Sequence, residues 1–211
     1  MTAPDPIWLY HITHVEHLAS IARDGLHCDA NAHVDGRLAV EIGNVSIKTG
    51  RRSRQVPVPP SGYVSDYVPF YFTPRTPMLF AIHKGNVSTY VGGQEGIVVL
   101  CTTLDEVERH RIQWVASDRN AAMRRASFTS ERAVLHSFID WDVIAAPYWD
   151  DFPEGGALRQ AELLVHHRLP WEAVKFIGTR TAEDLKRANV ALDTVVTPHR
   201  PRADVRGRWY F

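Results

Sequence analysis

The chain is short of cysteine, of lysine, of net charge and of long apolar runs, and each shortage excludes something. Only Cys28 and Cys101 occur in 211 residues, so neither a disulfide framework nor a cysteine-rich zinc site can be built. Two isolated thiols read instead as packing residues. No stretch approaches the roughly 20 apolar residues that span a bilayer. The opening MTAPDPIWLY lacks the basic-then-apolar order of a secretory signal, so a cytoplasmic protein with no membrane partner is expected. Lys+Arg and Asp+Glu stand at 24 each. That balance removes the simplest electrostatic argument for a nucleic-acid partner. GxGxxG, P-loop, GxSxG and HExxH strings are all missing, which leaves doubly wound nucleotide folds, serine hydrolases and zincins without local support.

What is present fits one domain over residues 1–211. Ile7 to Ile12 reads as an extended piece, followed by a capping box at Thr13-His-Val-Glu16 and an amphipathic helix that stops at Gly25. Residues 27 to 62 show no long periodic run and read as an extended irregular segment of the kind that is commonly functional. Tyr67 to Phe72 reads as a buried strand, and Thr76 with Pro77 opens a helix that Gly85 closes. Gly96 to Cys101 is a strand by its β-branched content, and Thr103-Leu-Asp-Glu106 caps a short helix. Val115 to Arg125 reads as a strand end, a polar turn and a short helix, and Pro147 to Leu158 as a loop. Strands are expected at Gln160 to His166 and Val174 to Gly178, with a Thr181-capped helix over Ala182 to Ala188. Strands and helices mix without strict alternation, so the class is α+β, with a mixed, largely antiparallel central sheet and short flanking helices.

The zero total conceals separation. Lys48, Arg51, Arg52 and Arg54 lie within seven residues without an acid. Arg109, Arg111, Arg119, Arg124 and Arg125 face Asp118 alone, and a third basic cluster closes the chain. The balancing acids gather between Asp140 and Glu162. Lys occurs only at 48, 84, 175 and 186, so most of the cations are arginines, suited to bidentate phosphate contacts and to stacking on bases. A solvated basic face is the plain reading of any one cluster; a dinucleotide, a nucleic acid or both is the sharper reading of all three.

Among residues that could do chemistry, Glu162 is the most informative. In a strand over 160–166 it shares a face with Gln160, Leu164 and His166, in a setting where a carboxylate is disfavoured unless it has a task. It is either a solvated surface group or a carboxylate tuned toward basicity in a cleft. The His11, His14 and His17 series suits a hydrogen-bonding wall better than a metal site. From residues alone, a noncatalytic nucleic-acid module and a metal-dependent nuclease using the acids at 140, 142, 150 and 151 stay open.

Several blocks together resemble the DarT family, the DNA ADP-ribosyltransferase toxins of DarT/DarG toxin–antitoxin systems. They are Tyr10-His-Ile-Thr-His14, Arg51 to Pro59, Asp66-Tyr-Val-Pro-Phe-Tyr-Phe72 with Thr76-Pro-Met-Leu79, Trp114-Val-Ala-Ser-Asp118-Arg-Asn-Ala-Ala122, Gln160-Ala-Glu162-Leu-Leu-Val165 and the final Trp209-Tyr-Phe. The resemblance implies an ADP-ribosyltransferase fold that takes NAD as donor, needs no metal, and modifies a base in single-stranded DNA, typically thymine. It also implies a DarG-like macrodomain antitoxin as partner. Carried over residue by residue, it makes Glu162 the catalytic carboxylate and Arg51 the arginine that helps hold NAD, with Arg52 and Arg54 as neighbours that could share that task. His11 and Thr13 fall on the nicotinamide side, and Tyr71 and Met78 line the cofactor cleft. Asp118 and Asn120 belong to the polar motif after Trp114. For the DNA strand, Arg111, Arg119, Arg124 and Arg125 are the expected phosphate contacts, Tyr148 and Trp149 the stacking faces, and Asp118, Asn120 and Arg159 further expected DNA-binding residues. Within the same fold, guanine, RNA or protein acceptors remain alternatives.

Overall fold

The computed structural model describes residues 2–34 and 40–211, and residues 33 and 34 by their backbone alone. Strand β1 (Trp8–His14) passes through a 3-10 turn into helix α1 (Leu18–Asp24). The capping box expected at Thr13 does not form. Residues 8 to 14 are all held in a ladder against Ile97–Thr103, and His14 supplies the cap by accepting from the Glu16 N–H. After β2 (Leu26–His27), the segment read as irregular contains two helices, α2 (Asp29–Val34) and α3 (Val45–Ser53); its residues 35–39 lie outside the described ones. Helix α3 hides from a periodicity reading because Val45, Ile47, Thr49 and Gly50 are poor helix formers and its one buried residue is Arg51.

Strand β3 (Tyr67–Tyr71) is followed by α4 (Pro77–His83), whose cap Thr76 accepts from the Leu79 N–H at 3.2 Å. Strand β4 (Ile97–Thr103) leads into α5 (Leu104–Arg109) behind its Thr103 cap. Between β5 (Trp114–Ser117) and β6 (Phe128–Thr129) the expected helix is absent. Residues 118–126 are a run of turns, closed where the Ser127 N–H donates to Asp118 at 2.9 Å. Helices α6 (Leu135–Phe138), α7 (Trp141–Ala145) and α8 (Gly155–Leu158) follow, the last inside the segment read as a loop. Strands β7 (Glu162–His166), β8 (Arg168–Leu169) and β9 (Phe176–Thr179) precede α9 (Ala182–Asp193), which runs past its expected end at Ala188, and β10 (Arg202–Val205).

Eight strands form one sheet in the order β10-β9-β4-β1-β3-β7-β5-β6, antiparallel throughout except for the parallel pair β10/β9; β2 and β8 pair separately. Alternation sorts the side chains: Leu163 and Val165 enter the main core with Val98 and Leu100, while Val99 and Cys101 face a second cluster with Tyr71, Leu79 and Tyr210. Both cysteines are buried and free.

The feature that positions the site is a gap in the middle of this sheet. Strand β1 pairs with β4 along seven residues but with β3 only at Tyr10↔Tyr71. Pro69 lies at the centre of β3, and its carbonyl faces β1, where it accepts from His11 Nδ1 at 2.8 Å. A strand residue points its N–H and C=O to the same side, so the N–H that proline lacks is one that β1 would have received. The two strands are thus bridged by a side chain where a ladder would otherwise run.

Candidate active site

A cavity of about 400 Å³ opens over this gap, within the range of small-molecule sites. Its floor is Glu162, 1% exposed, held between Tyr71 of β3 and Ser117 of β5 as ladder partners. Arg51, on the last turn of α3 and also buried, places Nη1 at 3.1 Å from Oε1 and 3.0 Å from Oε2 of Glu162. The Ala121 N–H donates to Oε2 at 3.2 Å. Burial by itself depresses the Arg51 pKa, and the adjacent Glu162 carboxylate more than offsets this, so the guanidinium is held above its ordinary value. Its Nη2 is buried without a partner among the described residues. The surface reading of Glu162 is therefore overturned.

The walls follow from the strands. His11 is held neutral chiefly by burial; Pro69 O can only accept, so Nδ1 carries the proton and Nε2 is left as an acceptor. His17 Nε2 accepts from the Val40 N–H at 3.1 Å, so its Nδ1–H donates to Thr13 Oγ1 at 3.0 Å. Tyr71, whose hydroxyl reaches Met78 Sδ at 3.6 Å, is shifted upward by burial and then by Glu162. Lys48, which also lines the cavity, bridges Glu41 at 2.7 Å and Asp29 at 3.2 Å. The turn that delivers Ala121 also delivers Asn120, whose Oδ1 accepts from the Ala122 N–H and whose Nδ2 donates to Gln160 Oε1 at 3.3 Å.

The structure thus gathers His11, Thr13, Arg51, Tyr71, Met78, Asn120 and Glu162 around one cavity. Of the three neighbouring arginines only Arg51 reaches the carboxylate: Arg52 is exposed, and Arg54 donates to the Arg124 and Ala126 carbonyls. Arg119, Arg124 and Arg125 sit on the 118–126 turn beside Ala121, and Arg119 pairs with Asp118 at 3.3 Å. Tyr148 is 67% exposed, and Trp149 packs edge-on against Phe80 and Phe211.

Two of the expected DNA-binding residues are not brought to the cavity. Arg111 is exposed and precedes β5 at the end away from Ser117, the residue paired with Glu162, so it stands beyond the far end of that strand from the cavity floor. Arg159 is 3% exposed and directs its guanidinium at backbone carbonyls, leaving no charge at the surface. Sequence reading missed Lys48 and Gln160 as cavity residues, and the Ala121 N–H as a donor; a backbone donor has no side-chain signal to find. No cluster of His, Cys, Asp or Glu able to hold a metal occurs among the described residues, and none of their helices is long and apolar enough to cross a membrane.

Residues 10–211 match the family described as ssDNA thymidine ADP-ribosyltransferase, DarT. The DNA ADP-ribosyl transferase of Thermus sp. (strain 2.9) is 34% identical over 210 residues, 100% of this chain and 99% of that protein. That of Thermus aquaticus is 36% identical over 208 residues, 99% of this chain and 90% of that protein. Thermus sp. 2.9 DarT in complex with ADP-ribosylated ssDNA superposes with a TM-score of 0.94 at 34% identity, covering 100% of this chain and 99% of that one. The same protein in complex with NAD+ gives 0.90 at 34% identity, with both chains covered in full. A match of this extent in sequence and in fold has one meaning: the chain belongs to the DarT family of ssDNA thymidine ADP-ribosyltransferases.

Proposed function

We propose that the Glu162 cleft transfers ADP-ribose from NAD to a thymine base in single-stranded DNA, with residues 1–211 acting as one catalytic domain. The observation that carries this reading is a buried carboxylate addressed by a guanidinium and a backbone N–H at the floor of a cavity, in a DarT-family chain. The residues fit a dinucleotide. Among the described residues Arg51 Nη2 is a buried donor without a partner, and Ile12, Ile42, Tyr71, Met78 and Val87 give the cavity apolar walls.

When bound, NAD supplies the ribose carbon whose bond to nicotinamide breaks, with positive charge developing on the sugar. Glu162 stabilises that charge from a preorganised position, needing no reorganisation at the moment of reaction. Its Oε1, free of the Ala121 N–H, is the atom assigned to take the proton that leaves the acceptor nitrogen. Arg51 holds the carboxylate through Nη1 and keeps Nη2 for the donor. His11 Nε2 and the Thr13 hydroxyl face the cavity as orienting polar groups. Arg119, Arg124 and Arg125 contact the DNA phosphates, and Tyr148 and Trp149 offer faces to a base taken out of its stack. Asp118 and Asn120 serve this side by holding the 118–126 turn in place. The reading assigns the enzyme to the cytoplasm as a toxin restrained by a DarG-like macrodomain antitoxin, a partner supported by the family resemblance.

The test is to incubate the protein with NAD and single-stranded oligonucleotides differing in base content, without added metal, and to look by mass spectrometry for one added ADP-ribose. An adduct confined to thymine-containing strands is expected. Folded protein that leaves every strand unmodified overturns the reading.

A further inference from the structure

Arg159 is a buried cation that faces no anion among the described residues. Its Nη1 donates to the carbonyls of Val143 at 2.6 Å, Ile144 at 2.8 Å and Ala146 at 2.8 Å, and its Nε donates to the Arg75 carbonyl at 3.1 Å. Burial, and then the positive charge of Arg75, push its pKa down to about 10. A charge kept in such surroundings has a structural task, since desolvation costs several kcal/mol per ion.

That task follows from where the carbonyls sit. Three of them end α7, where helix carbonyls lack intrahelical partners and a cation complements the dipole. Arg159 itself ends α8, three residues before Glu162. The segment 147–154 between these anchors is therefore tied at its base by one guanidinium. Within it Trp149 lies 5.7 Å below the Arg159 guanidinium, and the Trp149 carbonyl accepts from the Phe152 N–H. Glu154 lies 3.7 Å from Arg119 of the neighbouring turn. Gly155 completes the fold of the segment, because a Cβ there would run into the Trp149 carbonyl.

We propose that Arg159 is a positioning residue for the acceptor: it sets the 147–154 segment that presents Tyr148 and Trp149 to the DNA, and does so without touching a phosphate. This deepens the reading of the cleft as a DNA-modifying site and rests on it. Most of the cavity walls assigned to NAD come from β1, β3, α3 and α4, and Arg159 is not among the lining residues, although its neighbour Gln160 is, so NAD binding should depend little on Arg159.

The experiment uses Arg159→Met, Arg159→Lys and Gly155→Ala, each checked for folding by circular dichroism. It measures NAD affinity by calorimetry, oligonucleotide affinity across a salt series, and KM against kcat for transfer. Arg159→Met should raise the oligonucleotide KM by roughly tenfold or more, as misplacement of a binding element does. NAD affinity should stay within about twofold, and the slope of log affinity against log salt should not change, since Arg159 neutralises no phosphate. Arg159→Lys, which keeps three donors, should recover part of the loss. Gly155→Ala, which disturbs the segment from its other side, should reproduce it even if Arg159→Met fails to fold. A slope reduced by about 0.7 per charge removed would mean that Arg159 binds a phosphate directly and would overturn the proposal. So would an unchanged oligonucleotide KM in folded variants, or an equal loss of NAD affinity. Wild-type protein that modifies no DNA would instead remove the underlying reading.

Discussion

Arg51 and Glu162, 111 residues apart, form a buried pair in which one guanidinium nitrogen serves both carboxylate oxygens at 3.0 and 3.1 Å. The pair joins the end of α3 to the start of β7 and gives each residue two duties, one in the fold and one in the chemistry.

Removing one partner strands the other in a dry site. Glu162→Ala is expected to abolish transfer and also to lower stability by about 3–5 kcal/mol, the usual cost of an uncompensated buried charge. Glu162→Gln keeps an acceptor for Arg51 and for the Ala121 N–H and should fold, yet show no DNA adduct. The double variant Arg51→Met/Glu162→Leu should unfold at higher denaturant than Glu162→Ala. A folded Glu162→Gln protein with full activity would remove the carboxylate from the mechanism.

Arg124 and Arg125 lie exposed on the turn that carries Ala121. Reversing both charges should weaken oligonucleotide binding and leave NAD affinity unaltered. The salt dependence of binding should flatten by about 0.7 in slope for each phosphate that is no longer neutralised. Titration of a labelled oligonucleotide at several salt concentrations checks this, and an unchanged slope takes the pair out of the DNA path.

His17 is neutral in the fold, its pKa pushed from 6.5 to about 4 by burial and then by His14 and His11. The unfolded chain binds this proton below pH 6.5 and the folded chain only near pH 4, so stability rises with pH across that window. The contribution is complete above pH 6.5 and is lost progressively toward pH 4. Melting curves from pH 7 to 4 should show this fall, and His17→Gln should show a shallower one.

Trp209 packs directly on Gly178 of β9, where an added Cβ would collide with the indole ring. Gly178→Ala is expected to cost about 1–3 kcal/mol through overpacking. It should also disturb Tyr210, whose hydroxyl donates to the Gly178 and Ile97 carbonyls. Denaturant midpoints measure the loss.

Much of the fold is legible because it is local. Thr76, Thr103 and Thr181 each cap the helix their spacing announces, since a cap needs only its own backbone within three residues. Thr13 has the same pattern and fails, because seven ladder pairs to β4 outweigh one side-chain bond. Helix α3 escapes notice for the converse reason: its propensity is weak and its stability comes from packing and from Arg51 reaching a strand far along the chain.

For the site, the sequence by itself determined the chemistry: a lone strand carboxylate at 162, arginines as the dominant cations, and motif blocks that resemble one family. It also determined what is absent, namely disulfides, thiolate metal sites and a uniform basic field. Only the tertiary structure decided which charges matter. The zero total resolves into Arg51 paired with Glu162, Arg159 bound to carbonyls, and Arg124 and Arg125 exposed at the surface, Arg125 with Glu154 4.0 Å away. A composition counts these arginines alike. Burial separates them, because a charge must find compensation in a dry interior and needs none at the surface.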